Sequence, residues 1–325
     1  MFRSRLSSNP SESEGSPDSI PLASFLPKPQ GETPADRVLG KLIALLEREG
    51  QILPDPGTPL GMLWRALHKE NASVEECAKI VSIDPALAGW VFRLANSAAV
   101  GGRAATVHEA VLFLGLLRVR QIAGGATVAD KFASFQLPST WSQFWLRNLF
   151  IARVVDHLAS RYFKTDGSEY LAGLLHDASW LFLATHFPEE FASILTAPGN
   201  RLDAEVRILS VNHAHLSAAL CLRSHLPLRI IEGVLHHPKP ELLDPAHLPP
   251  PRESALFLAV LLHLSARVAD ASLINPIKRT PVSFESIEQS PEAAWLRHFG
   301  PAPDFARVAS AELPIAEELH SLFFE

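Results

Sequence analysis

From Asp36 onward, apolar residues recur three and four positions apart, the spacing of one face of a helix. In "DRVLGKLIALLEREG", Val38, Leu39, Leu42, Ile43, Leu45 and Leu46 share a broad face, and Gly50 can stop the helix. "ILPDPGTP" follows as a loop that a helix cannot cross. "SVEEC" reads as a capping box, Ser73 with Glu76, and "TVHEAVLFLGLLRV" as another, Thr106 with Glu109. "DPALAGWVFRLANS" places Pro85 at a first helical position and ends at Asn96-Ser97. Gly101-Gly102 and Gly124-Gly125 punctuate this region. A long helix runs through "STWSQFWLRNLFIARVVDHLASRYF", capped near Ser139 or Thr140, and one helix carries Leu171 to Thr185. Shorter helices are predicted over 189–196, 203–211, 213–224 and 227–237, and a long one from about Glu253 to Ser272. Residues 291–325 read as two or three short helices. Strand alternation and a fixed-period repeat are both absent, so the predicted class is all-α.

Residues 1–35 have a different composition, rich in Ser, Pro, Glu and Gly, and are read as a disordered leader. Their apolar patch, Ile20 to Leu26, could dock on the body, but reads more simply as part of the tail. The helical remainder divides into a domain over 36–280 and C-terminal helices over 281–325 that should pack on it. Within the domain, an N-terminal helical lobe (36–135) meets a bundle (136–280) near Ala133 to Ser139.

Composition narrows the function classes. Hydrophobic residues make up 47%, enough for a sizeable core, and the net charge of -6 makes a globally basic nucleic-acid binder a poor fit. Cys77 and Cys221 lie far apart without CxxC spacing, which suits two small core residues in a reduced compartment. Uninterrupted apolar runs of about 18 residues are missing, so no membrane span is expected. The N-terminus has arginines without a following apolar region, unlike a secretory signal, and the expected location is cytoplasmic, in a prokaryotic-like context.

Among fourteen histidines, those in or at the ends of predicted helices bear on chemistry: His176, His213, His236 and His237, together with Asp177 and Asp270. Imidazole nitrogens and carboxylate oxygens suit Fe, Mn, Zn or Mg according to geometry. Adjacent residues on one helix point about 100° apart, so His176 and Asp177 reach one ion only at the end of a cleft. A lone buried histidine is more often a satisfied core residue than a ligand; the joint pattern carries the weight.

The stretch "VSIDPALAGWVFRLANSAAVGGRAATVHEAVLFLGLLRV" resembles the first half of the HDOD domain. The likeness lies in Asp84-Pro85-Ala86-Leu87, in Leu94-Ala95-Asn96-Ser97, and in Ala110 to Leu114 followed by Gly115. "LAGLLHD", "NHAHLSAAL", "HLPLRIIEGVLHHP" and "SARVAD" follow in the order of the second half, so the likeness runs from about Val38 to Asp270. The resemblance implies an HD-like helical bundle with an additional N-terminal lobe and a role in bacterial signalling, usually without a demonstrated reaction. The HDOD family is related to metal-dependent HD phosphohydrolases. Carried over from them, His176 and Asp177 match the HD pair, His213 the following helical histidine, His236 and His237 the double histidine, and Asp270 the closing aspartate. Two positions depart. Where the hydrolases carry a histidine ligand after a tryptophan, "FWLRNLF" offers Arg147, which has no lone pair, or Asn148, a poor ligand for a transition metal. After the HD pair, Ala178-Ser179-Trp180 stands where a lysine would steady a leaving phosphate, and Trp180 is bulky enough to fill the cleft.

Arg118, Arg120 and Lys131 form a mildly basic stretch, expected as a solvated helix face, with anion or partner contacts as the sharper alternative. Trp141, Phe144 and Trp145 suit a core or lobe interface, and "GGRAA" a turn between helices. Ser217 and Ser224 lack a nucleophile elbow. The expected function is a non-enzymatic regulatory protein binding a signalling protein or a small nucleotide-like ligand in a helical cleft. Arg147 would pair there with Asp177 or Asp270 in place of a metal. No cofactor is expected beyond a single divalent ion (Fe, Mn, Zn or Mg). The alternative is a metal-dependent HD-type phosphohydrolase acting on nucleotides or cyclic dinucleotides.

Overall fold

The computed structural model describes residues 21–22, 25–31, 33–50, 57–67, 69, 71–97, 100–133, 141–165, 167–244, 252–274 and 282–324. Among them are helices and no strand. The expected lobe junction at 134–139, the Ser139 or Thr140 cap and residues 1–20 of the leader lie outside the described residues.

The N-terminal helices are α1 (Pro34–Glu49), α2 (Pro59–Leu67), α3 (Val74–Val81), α4 (Pro85–Ala95) and α5 (Val107–Ala133). Their starts follow local chemistry. Asp84 caps α4 by accepting from the Ala86 and Leu87 amides at 2.8 and 3.1 Å. Ser73 and Thr106 each accept from the amide three residues on, at 3.1 Å. The reciprocal half of each box is absent: Glu76 pairs with Lys69 at 2.6 Å, and Glu109 accepts from the Ala105 amide at 2.7 Å. Asn96, at the end of α4, clasps the returning loop by accepting from the Ala104 amide at 2.8 Å and donating to its carbonyl at 3.1 Å. Gly115 interrupts α5 with φ 74°, so the run from Val107 is two helices rather than one straight rod.

The rest of the chain forms α6 (Trp141–Ser160), α7 (Ser168–Leu175), α8 (Ala178–His186), α9 (Pro188–Thr196), α10 (Arg201–Leu209), α11 (His213–Arg223), α12 (Leu228–His236), α13 (Arg252–Ala271), α14 (Phe284–Glu288), α15 (Pro291–Leu296) and α16 (Phe305–Phe324). Helices α6, α7, α11, α12 and α13 pack side by side as the bundle. Gly173 of α7 sits directly on α6: a Cβ there would lie 2.5 Å from the Ala152 Cα. A continuous core joins both halves, from Leu26 to Leu319.

Four features differ from the sequence expectation. The helix expected over Leu171 to Thr185 is two helices, broken at His176-Asp177. Helix α1, assigned to the N-terminal lobe, packs on α10 and α11 of the bundle. Leu26 is buried, and Leu22 and Phe25 pack against the core, so this part of the leader docks. Finally, Phe305–Phe324 is a single 20-residue helix carrying Pro314 in its interior.

Helix α16 braces the two halves. It packs on α6 and α13 and also on α4 and α5. Trp90 of α4 meets Phe323 edge-on with centroids 5.3 Å apart. On the bundle side, Glu312 accepts from Arg153 Nε at 2.8 Å and pairs with His157 Nδ1 at 2.6 Å. Arg153 also donates to the Gln121 side chain of α5 at 2.6 Å, and Gln121 donates to Asp156 at 2.7 Å. Burial opposes the Glu312 charge, but His157 and Arg153 outweigh it and hold its carboxyl below the ordinary value. Two helices, Val107–Thr127 and Glu253–Ala271, are long and apolar enough to cross a membrane, yet 61% of each window is buried within the fold. The first is also broken at Gly115.

Close helix contact at Gly173 leads to a paired expectation. Gly173→Ala pushes α6 and α7 apart and lowers the unfolding free energy by about 1–3 kcal/mol. Gly40→Ala, where a Cβ would meet nothing within 4 Å, raises it by about 0.5–1 kcal/mol through helix propensity. Urea unfolding of both variants measures the difference.

Candidate metal centre

The break between α7 and α8 builds the site. His176 keeps helical dihedrals, whereas Asp177 leaves them at φ -111°, ψ 16°. The Asp177 carboxylate makes no cap bond to α8. It turns toward three imidazoles instead: His176 Nε2 at 3.3 Å, His213 Nε2 at 3.4 Å and His237 Nε2 at 3.6 Å. The four side chains are 1–10% exposed.

Each imidazole is aimed through its other nitrogen. His176 Nδ1 lies 2.7 Å from the Gly173 carbonyl, and His237 Nδ1 lies 2.6 Å from the Val234 carbonyl. A carbonyl only accepts, so these Nδ1 atoms carry a proton, and the Nε2 atoms face Asp177, as lone-pair donors to a cation in the neutral ring or as N–H donors to the carboxylate in the protonated one. His213 Nδ1 lies 2.7 Å from Glu205, whose carboxylate also accepts from the His213 amide at 2.8 Å. Carbonyl or carboxylate acceptors behind ligating imidazoles are the usual support of a metal site. Ser179 Oγ donates to the His213 carbonyl at 2.8 Å, and Ser217 Oγ donates to Ser179 Oγ at 2.9 Å, fixing α11 to the start of α8. The His237 carbonyl is bonded to His263 Nδ1 at 3.1 Å.

Burial would raise the Asp177 carboxyl, but the histidines outweigh it and hold it well below the usual carboxylate range. Burial pushes His237 down to about 4 against the opposing pull of Asp177. A neutral His237 and an ionised Asp177 are the protonation states a cation requires. Donor atoms of His176, Asp177 and His237 lie within 4.8 Å of one another, and His176 Nε2 has no hydrogen-bond partner. The donor set therefore fits one divalent ion accepting nitrogen and oxygen.

Other sequence candidates lie elsewhere. His236 is exposed on the far side of the α12 terminus, near His215. Asp270 pairs with Arg147 Nη1 at 2.7 Å. Arg147 also donates to the carbonyls of Ile274 and Ala266 at 2.8 and 3.2 Å, so this guanidinium closes the C-terminal end of α13. Asn148 is fully buried, with neither amide atom hydrogen-bonded. Trp180 is buried against His213, ring centroids 5.5 Å apart, with the Arg201 guanidinium 5.6 Å from its own ring. Arg118 and Arg120 do not form a solvated basic face. Arg118 is half-buried near Arg153, Glu312 and Asp156, and Arg120 donates to the Leu67 carbonyl. The Lys131 side chain lies outside the described residues. Sequence reasoning missed Glu205 and His263, and weighed Ser179 and Ser217 without seeing that they fasten α11 to α8. Only the spacing of Glu205 eight residues before His213 links it to the site, and that carries no specific signal.

Comparison with known proteins bears on this arrangement. A family model described as the HDOD domain matches residues 53–240. An HDOD domain protein of unknown function from Geobacter sulfurreducens superposes with a TM-score of 0.69 at 21% identity, covering 88% of this chain and 97% of that one. A Shewanella amazonensis protein, provisionally named a phosphohydrolase, gives 0.65 at 19% identity, covering 87% and 97%. One from Marinobacter aquaeolei, provisionally named a signal transduction protein, gives 0.62 at 19% identity, covering 92% and 69%. These structural likenesses show the fold alone. An uncharacterized protein of Treponema pallidum is 24% identical over 261 residues, and the match covers 76% of this chain but about half, 49%, of that relative.

Acid titration of the chelator-treated chain should register His237. An unfolded His237 takes up its proton near 6.5, while the folded one refuses it until about 4. Within that window the unfolded state binds more protons, so stability falls as pH falls, at about 1.4 kcal/mol per pH unit from this group. His237→Gln should remove this part of the slope in urea titrations at stepped pH. Arg147→Met, which strands Asp270, should lower the unfolding free energy by about 3–5 kcal/mol in the same assay.

Proposed function

Given that the chain belongs to the HDOD family, we propose that it works as a regulatory protein that recognises a signalling partner or a small nucleotide-like ligand and does not hydrolyse phosphate esters. One observation carries this reading: Arg147 holds Asp270 at 2.7 Å. Two-metal ester hydrolysis needs a second ion about 3.5–4 Å from the first, and an open position for water. Here the second carboxylate is held by a guanidinium that also caps two carbonyls. The remaining donors are buried, and Trp180 packs near His213 with ring centroids 5.5 Å apart. Ala178-Ser179-Trp180 also supplies no cation beside the pair to stabilise a leaving phosphate. Recognition of a protein is supported by large apolar side chains exposed on the N-terminal helices and the turn between α3 and α4. Ile83 and Leu112 are each 61% exposed, and Phe113 is 52% exposed.

The second reading, HD-type phosphohydrolysis, is favoured by the convergence of His176, His213 and His237 on Asp177. Those four residues would hold the ion, and a bound divalent ion would supply Lewis acidity. Asp177 and Glu205 would fix the orientation of the rings.

The full chain, loaded in turn with Fe2+, Mn2+, Zn2+ and Mg2+, is to be assayed against nucleotides and cyclic dinucleotides. Phosphate release no greater than that of Asp177→Ala is expected. Metal-dependent turnover that Asp177→Ala abolishes overturns the regulatory reading in favour of the hydrolase.

A further inference from the structure

We propose that Asn148 completes a mononuclear divalent-cation site by turning its side-chain carbonyl oxygen toward the three imidazoles and Asp177. The inference stands apart from whether the chain hydrolyses anything, since an ion can be held for structural or regulatory reasons.

The register of α6 against α7 carries it. The two helices run antiparallel: Asp156 lies electrostatically against Glu169, and Ala152 touches Gly173. One turn earlier on α6 is Asn148, and one turn later on the partner strand of chain is Asp177. Residues four apart share a helix face, so the Asn148 side chain stands at the level of the His176-Asp177 break. Its neighbour Arg147, about 100° around the helix, is accounted for on α13 by Asp270, Ala266 and Ile274.

Asn148 is 0% exposed, and neither its Oδ1 nor its Nδ2 makes a hydrogen bond. A buried unpartnered amide is costly, a penalty that Leu at the same place would not carry. Helix α6 gains nothing from an amide buried at this level unless something binds it. His176 Nε2, at the same break, is also without a hydrogen-bond partner. An ion on the Asp177 side of the cluster engages the imidazole nitrogens, the carboxylate and the amide oxygen together. Two buried carboxylates, Asp177 and Glu205, match its two positive charges. An amide oxygen is a hard, weak donor beside imidazole. It adds most to an ion that takes five or six ligands and accepts oxygen readily, such as Mn2+, and least to tetrahedral Zn2+.

The test uses the full chain and the variants Asn148→Leu and Asn148→Asp, each stripped with chelator and titrated with Mn2+ and with Zn2+. Wild type should take up one equivalent of either metal, with a rise in Tm. Asn148→Leu, freed of its unpartnered amide, should melt no lower than wild type when metal-free. It should bind Mn2+ at least tenfold more weakly and Zn2+ within about threefold of wild type, a selectivity change that a purely structural role for Asn148 would not produce. Asn148→Asp, which keeps an oxygen there, should bind Mn2+ at least as tightly as wild type. Co2+-loaded wild type should show the weak d–d absorption of a five- or six-coordinate ion, and Asn148→Leu the stronger band of a four-coordinate one. Equal weakening of both metals in Asn148→Leu, or unchanged Mn2+ affinity and Co2+ spectrum, overturns the assignment. Binding of two equivalents, or of none, by wild type overturns the mononuclear site itself.

Discussion

Contact between Gly173 and Ala152 sets the distance at which α7 lies on α6, and the rest of the site inherits its geometry from that spacing. With no side chain at 173, the helix backbones touch, and the chain after Leu175 reaches its break already deep in the bundle. There His176 accepts a hydrogen-bonding role from its own helix, giving its Nδ1 proton to the Gly173 carbonyl one turn back. The same glycine therefore fixes both the depth of the break and the direction of the first imidazole. Asp177, released from helical geometry and from capping, is free to face three rings from three different helix termini. Histidines at helix C-termini suit this task because the last carbonyls are unpaired there and can orient Nδ1, as for His176 and His237, whereas His213, at a helix start, is oriented by Glu205.

Buried charge is handled in two separate systems along one helix. Near the start of α6, Arg147 joins Asp270 and the end of α13. Farther along, Arg153 joins Glu312 of α16 and Gln121 of α5. Desolvating such groups costs several kcal/mol each, and pairs of this kind gain little net stability over apolar residues of the same volume. What they supply is specificity of arrangement. A guanidinium with directional donors accepts only certain neighbours, so each system fixes which helices meet and at what height. At Asp270 this also means that a fixed organic cation, unable to exchange or deprotonate, occupies the coordination of the carboxylate.

Much of the fold was legible because its signals are local. Pro85 after Asp84, Ser73 and Thr106 three residues before glutamates, and Gly50 after an apolar run each act within one turn, and each helix starts or stops where they stand. The break at His176-Asp177 was not legible, since no proline or glycine marks it; tertiary packing of α7 and α8 on different neighbours imposes it. The length of the last helix was not legible either: two or three short helices were expected over 291–325, yet packing of α16 across α6, α13, α4 and α5 holds one helix through Pro314. The placing of α1 on the bundle is likewise a long-range fact, carried by Leu39, Leu42 and Leu46, whose burial could be foreseen but whose partners could not. At the site, His176, Asp177, His213 and His237 could be named from the sequence, and their meeting is seen in the structure. His236 could not be told from His237 by sequence, because adjacent positions at the end of α12 point in different directions and only one faces the bundle.

The position of α6 connects these observations. Its start carries Arg147 into α13, and its later turns carry Arg153, Asp156 and His157 to α5 and α16. Helix α16 then reaches Trp90 on α4 through Phe323. A packed helix moves as a unit, because its interior neighbours leave no room for independent displacement of successive turns. A shift of α6 at the level of Asn148 is therefore felt where Arg153 meets Glu312 and Gln121, and through them in the N-terminal helices that expose Ile83, Leu112 and Phe113. The helix that carries the His176-Asp177 break packs on α6, and α6 packs through α16 on the N-terminal helices, so the buried cluster and that apolar surface rest on one continuous core.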